Sequence, residues 1–294
     1  MDDGRIRVVA STDVYGQIAQ QIGGDLVDVT AIVTSASQDP HSFEPSARDQ
    51  LTVSRADLIV ENGGGYDAFI DTLIESSGST APVVTAVQLS PEWPGEPADH
   101  ADHDDENEDD HDHADHEHVE GFNEHVWYDL HTMERVAEEV GHELAEIAPD
   151  HAATFTANVE EFTSGISDLE TELTALDAEF AGTEIFVTEP VPLALTGAAG
   201  LVNVAPDAFT TAVEEGRDVP PATLLDALKL IRGGSVRIVV VNAQTGGAET
   251  TAIVDEAESV SIPTVEFTET LPSGQTYLSW MQSNIETLRQ ALSR

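Results

Sequence analysis

From Asp150 the sequence keeps a helical apolar period for about 28 residues, or about 40 Å at 1.5 Å per residue. Phe155, Val159, Phe162, Ile166, Leu169, Leu173 and Leu176 recur three or four apart, and Gly182 ends the run. A shorter helix precedes it from His131, with Met133, Val136, Val140, Leu144 and Ile147 on one face, and Pro149 breaks it. A helix that long suits a rigid strut, and the chain on either side of it reads differently. Short apolar runs there alternate with helical patterns, which argues for βα units.

Before the helices, strands are expected at Ile6–Ser11, Val27–Val33, Leu58–Glu61 and Val83–Val87. Helices are expected at Val14–Ile22, from Ser46 through Arg55, and at Asp67–Ser76, the last after a turn at Gly63–Gly65. After them, strands are expected at Ile185–Thr188, Leu201–Val204, Ile238–Val241 and Thr264–Phe267. The matching helices are Val191–Ala199, Pro220–Ile231, Glu249–Ser259 and Thr276–Leu292. The expected class is α/β, with two lobes, each a mostly parallel sheet flanked by helices, joined by one long rigid helix. The expected division is 1–130, 131–180 and 181–294.

Residues 98–120 cannot belong to either core. The stretch 99–118 reads DHADHDDENEDDHDHADHEH, with six histidines (His100, His103, His111, His113, His116, His118) and eleven acids. Such a segment is expected to be a solvated loop, and its chemistry is that of loose divalent-metal chelation by imidazole and carboxylate. The whole chain is acidic as well, with a net charge of −45 and Lys229 as its single lysine. That surface repels nucleic acid and anionic membranes and attracts cations. With no cysteine in the chain, thiolate metal sites, cysteine nucleophiles and disulfides are excluded. No run is apolar enough to span a bilayer. The start, MDDGRIRVVAS, reads as a mature chain behind an added Met.

Four residues outside the loop are candidate ligands, each placed just after a strand or the acidic run. His41 lies in QDPHSFEP, His125 in EHVWYDL, Glu189 in TEPVP and Glu269 in FTETLPSG. Each has a plainer reading: a solvated loop histidine, or a carboxylate at a helix N-terminus. In open α/β sheets, however, ligands sit beyond the carboxyl ends of strands. Two imidazoles and two carboxylates form a closed set for one divalent cation, whereas a catalytic zinc keeps an open position. Asn242 and Gln244 in VNAQT also end a strand and compete with the glutamates as donors. Signs of an enzyme are lacking. The run His142-Glu-Leu-Ala-Glu146 lacks the second histidine of H-E-x-x-H, and there is no G-x-S-x-G elbow or phosphate loop.

Taken together, the motifs resemble the metal-binding substrate-binding proteins of bacterial ABC transporters that capture zinc or manganese, of the cluster A-I, zinc-uptake receptor type. DPHSFEPSARD resembles the first ligand loop of that family, and LTVSRADLIVENGGGYDAFID the elements after it. EHVWYDL resembles its second ligand motif, and SGQTYLSWMQSNIETLRQAL its last helix. The resemblance implies that His41, His125, Glu189 and Glu269 hold the metal. Zinc-type members usually have His at the third position. Glutamate at 189 follows the manganese type, and Glu269 stands where that type carries Asp, while the His-rich loop follows the zinc type. The implied function is a non-enzymatic, extracytoplasmic, monomeric receptor, secreted or lipid-anchored. It would deliver Zn2+, or alternatively Mn2+, to an ABC permease with its ATPase. A rival of another class is a surface adhesin or metal buffer in which the loop alone matters.

Overall fold

The structure is a computed structural model and describes residues 4–35, 37–95, 119 and 121–294. The acidic stretch 99–118, with its six histidines, lies outside the described residues. The chain forms two compact units. The first comprises the described residues of Met1–Val33, Gln38–Val126 and His131–Val159; the second comprises those of Thr34–Ser37, Trp127–Leu130 and Glu160–Arg294.

In the first unit, β1 (Ile6–Thr12), β2 (Val27–Val33), β3 (Leu58–Glu61) and β4 (Val83–Thr85) form a parallel sheet in the order β2-β1-β3-β4. Ile6 pairs with Val27, Val8 with Leu58 and Ile59 with Val83. β1 and β3 are central strands covered on both faces. They therefore read as near-continuous apolar runs, not as an alternation. Helices α1 (Asp13–Gly23), α2 (Ala47–Val53) and α3 (Phe69–Ser77) return the chain between strands, and α4 (Leu130–Ile147) follows. Ser46 caps α2 in a reciprocal box with Asp49. Val9, Val33, Val53, Ile59, Phe69, Ile70 and Leu73 form a core, each side chain contributing about 1.5–3 kcal/mol on full burial.

The second unit repeats the scheme. β5 (Glu184–Val187), β6 (Val202–Asn203), β7 (Val239–Asn242) and β8 (Thr264–Phe267) form a parallel sheet in the order β6-β5-β7-β8. The long helix α5 (Ala152–Phe180, 29 residues) begins in the first unit and continues in the second. Its expected apolar face is buried at Phe155, Phe162, Ile166, Leu169, Leu173 and Leu176. α6 (Leu193–Ala198), α7 (Asp207–Glu214), α8 (Pro221–Arg232), α9 (Ala248–Ser259) and α10 (Tyr277–Leu292) complete the unit, with Thr276 capping α10.

Several local expectations need correction. The strand expected over Val83–Val87 stops at Thr85, and a 3-10 turn takes over from Ala86. Ile147, expected on the apolar face of α4, is 37 % exposed at the fraying end of that helix. The helix expected from Val191 starts at Leu193, because Pro192 disfavours a helical backbone at Val191, the residue before it. α7 has no counterpart in the sequence reading. The helix expected from Asp67 begins at Phe69, because the Asp67 carboxylate serves the preceding loop instead.

That loop contains Gly63, Gly64 and Gly65, all at positive φ (76°, 68° and 96°). A side chain at Gly63 would also meet Thr85 Cγ2 at 2.5 Å. The Asn62 and Gly63 N–H groups donate to Asp67 Oδ2 (2.7 Å) and Oδ1 (2.8 Å). Burial pushes the Asp67 carboxyl from an ordinary value near 3.8 up to about 6, against the hydrogen bonds that pull it down. Nearby Glu61 is also raised, by burial first and then by the charges of Asp67 and Asp71. The folded protein therefore holds a proton at Asp67 that the unfolded chain has released between about pH 4 and 6. The stability from this group is full below about pH 4 and is lost as pH rises through about 6. Metal-free protein should gain stability between pH 7.5 and 5, by on the order of 1–1.5 kcal/mol from Asp67. Denaturation midpoints across that range should fall on a flatter line for D67N than for wild type; parallel lines would contradict the assignment.

Candidate metal centre

In the first unit, the loop after β2 enters a 3-10 turn, Pro40–Ser42, whose start is capped by Asp39. Asp39 Oδ1 accepts from the His41 N–H (3.0 Å) and Oδ2 from the Ser42 hydroxyl (2.8 Å). Pro40 fixes its own φ, so three constraints hold the His41 backbone. The same device recurs before the second histidine: Asn123 Oδ1 accepts from the His125 N–H at 3.2 Å. His125 is buried, and the His41 side chain keeps 22 % of its exposure.

These two constraints bring the imidazoles together. A ring nitrogen of His41 lies within 4.8 Å of one of His125. Tyr66 stands edge-on to both rings, with centroids 4.9 Å from His41 and 6.0 Å from His125. Asn123 Oδ1 meets His125 Nδ1 at 2.8 Å, and Glu124 Oε1 lies 3.5 Å from His41 Nδ1. The Glu124 carbonyl accepts from Asn62 Nδ2 (3.0 Å), whose own Oδ1 accepts from the Tyr15 hydroxyl (2.5 Å). Asn123, Glu124, Asn62 and Tyr66 were all missed by sequence reasoning. The NEHVW run held a signal in its Asn and Glu just before the histidine, but nothing in the spacing says where those side chains turn.

In the second unit, Glu189 lies two residues beyond β5 and Glu269 two beyond β8, both buried. Asn242, the last residue of β7, donates from Nδ2 to Glu189 Oε2 (3.0 Å) and to Glu269 Oε1 (2.6 Å). The Thr245 hydroxyl donates to Glu189 Oε1. Gln244 Oε1 accepts from the N–H groups of Glu269 (2.6 Å) and Thr270 (2.8 Å) and from the Thr270 hydroxyl (3.0 Å). Of the two amides that competed as donors, Gln244 has its oxygen occupied by three hydrogen bonds. Asn242 turns its nitrogen to the carboxylates and its oxygen to the Gln244 N–H (3.0 Å). Both amides therefore act on the glutamates and their loops. Nearby, the Tyr128 hydroxyl donates to the Thr268 carbonyl (2.7 Å); burial raises that phenol well above its ordinary range, so it stays a neutral donor.

Comparison with known proteins places the chain in a family. Residues 8–291 match the model of ZnuA, the zinc-uptake complex component A, periplasmic. The chain belongs to that family.

Among curated relatives it is 23 % identical over 313 residues to the metal ABC transporter substrate-binding lipoprotein SsaB of Streptococcus sanguinis, covering 100 % of this chain and 91 % of that one. It is 26 % identical over 170 residues to the manganese-binding lipoprotein MntA of Halalkalibacterium halodurans. That match covers 58 % of this chain and only 49 %, about half, of the relative's length. The zinc-binding protein AdcA of Streptococcus pyogenes is 25 % identical over 301 residues, covering 98 % of this chain and 56 % of that one. The periplasmic zinc-binding protein TroA of Treponema pallidum shares the fold, with a TM-score of 0.76 at 15 % identity over 99 % of this chain and 100 % of that one.

The chain is thus a metal-binding, extracytoplasmic substrate-binding component of an ABC transporter, and the family is one of receptors, not enzymes. Its cargo is a divalent metal ion. No helix among the described residues is long and apolar enough to cross a membrane.

Replacing Asn242 with leucine leaves two buried carboxylates without their shared donor. Because hydrogen bonds to charged groups contribute about 1.5–3 kcal/mol each, N242L should lower metal-free stability by about 3 kcal/mol. Chemical denaturation measures it, and a loss below about 0.5 kcal/mol would show that the shared donor matters little.

Proposed function

We propose that this protein is a zinc receptor that binds one Zn2+ through His41, His125, Glu189 and Glu269 and delivers it to an ABC permease coupled to an ATPase. The observation that carries the choice of metal is the bonding of Glu189. Both its oxygens already accept hydrogen bonds, from Asn242 and Thr245, which favours one-oxygen coordination. One-oxygen carboxylates with two imidazoles make a four-coordinate set, the number zinc prefers. The order of divalent-metal affinities also favours zinc over manganese at a nitrogen-containing site. The family description and the six loop histidines agree. In this reading the receptor is a monomer, and the loop is accessory, raising the local concentration of metal.

Manganese is the second reading. It rests on the carboxylate at Glu189, in place of a third imidazole, and on relatives described as manganese-binding. Competition titration of zinc against manganese, on wild type and on a deletion of residues 99–118, separates the two. A single tight zinc site that survives the deletion, with manganese weaker by at least about a hundredfold, is expected from the affinity order. Tight manganese binding at the surviving site would move the protein to the second reading. Loss of all tight binding with the loop would leave a metal buffer or adhesin, not a receptor.

A further inference from the structure

We propose that Asn123 is a positioning residue that fixes the tautomer of the His125 imidazole, so that this ring presents Nε2 to the metal. The inference rests on His125 being a ligand.

The argument begins with the Asn123 amide. Its Oδ1 accepts from the His125 backbone N–H at 3.2 Å, which identifies that atom as the oxygen independently of the ring. The same oxygen lies 2.8 Å from His125 Nδ1. An amide oxygen only accepts, so Nδ1 carries the proton and Nε2 carries the lone pair. Glu124 Oε1 lies 3.5 Å from His41 Nδ1, an ion-pair contact that does not fix the tautomer of that ring. Metal-binding histidines commonly donate their other ring N–H to a carboxylate or carbonyl, which orients the ring and raises its basicity.

The segment that carries Asn123 is itself held in place. Asn62 Nδ2 grips the Glu124 carbonyl at 3.0 Å, and Tyr15 grips Asn62. Asp67 holds the backbone of Asn62 and Gly63. The Cβ of Glu124 lies against Gly64, 3.7 Å from where a side chain there would begin. Hydrogen bonds therefore run from the β3–α3 loop to the segment that aims the His125 ring. Asn123 need not touch the ion to act on it.

The test uses the full-length, metal-free protein labelled with 15N-histidine. Long-range proton–nitrogen correlation at pH 8 reports which ring nitrogen is protonated. His125 should carry the proton on Nδ1. In N123A, His125 should gain an Nε2-protonated population. The variant should weaken zinc binding by about 10- to 100-fold, the usual effect of losing such a partner. N123D keeps an oxygen acceptor and should recover most of the loss. A proton on Nε2 of His125 in wild type, or an unchanged His125 tautomer in N123A, would overturn the proposal. The tautomers are read without metal, so a wild type that fails to bind zinc would instead sink the ligand assignment.

Discussion

A carboxylate kept from water must be met by donors, and that requirement shapes both units. In the second, one amide nitrogen, Asn242 Nδ2, serves two buried glutamates at once. Its position at the end of β7, between β5 and β8 in the sheet, puts it within reach of residues that follow both neighbouring strands. A parallel sheet brings the carboxyl ends of its strands to one edge, so residues distant in sequence converge there. Leaving either glutamate unmet would cost more than the hydrogen bond itself contributes. The arrangement thus brings two buried carboxyl groups together at one edge of the sheet, sharing a single donor.

The first unit handles the same problem at Asp67, where the donors are backbone N–H groups of a glycine-rich loop. That loop continues through Asn62 to Glu124 and so to the residue before His125. Structural burial and site geometry are therefore one network here. Acid has opposite effects on its two ends. Lowering pH relieves the buried Asp67 and Glu61 carboxyls; with His41 and His125 as the proposed ligands, it also protonates imidazoles that must be neutral to bind metal.

Much of the architecture was legible because periodicity carries it. Val27–Val33, Leu58–Glu61 and Thr264–Phe267 are strands at the expected boundaries, and the face of α5 follows from apolar spacing alone. Asp67 was misplaced because an acid before an apolar run looks like a helix start; only the folded loop shows that its carboxylate accepts from the Asn62 and Gly63 N–H groups instead. α7 is two turns long, too short for its period to stand out. The two histidines and two glutamates could be picked out by residue type, by position after strands and by resemblance to a family. Asn123, Glu124 and Asn62 could not, since sequence spacing does not encode where a side chain in an irregular segment turns.

The central claim is that two imidazoles and two carboxylates hold one zinc ion. X-ray absorption at the zinc edge, on protein lacking residues 99–118 and loaded with one equivalent, reads the first shell directly. The account predicts four light donors at about 2.0–2.2 Å, with the outer-shell scattering of two imidazoles. A shell of five or six donors, or scattering from fewer than two imidazoles, would contradict it.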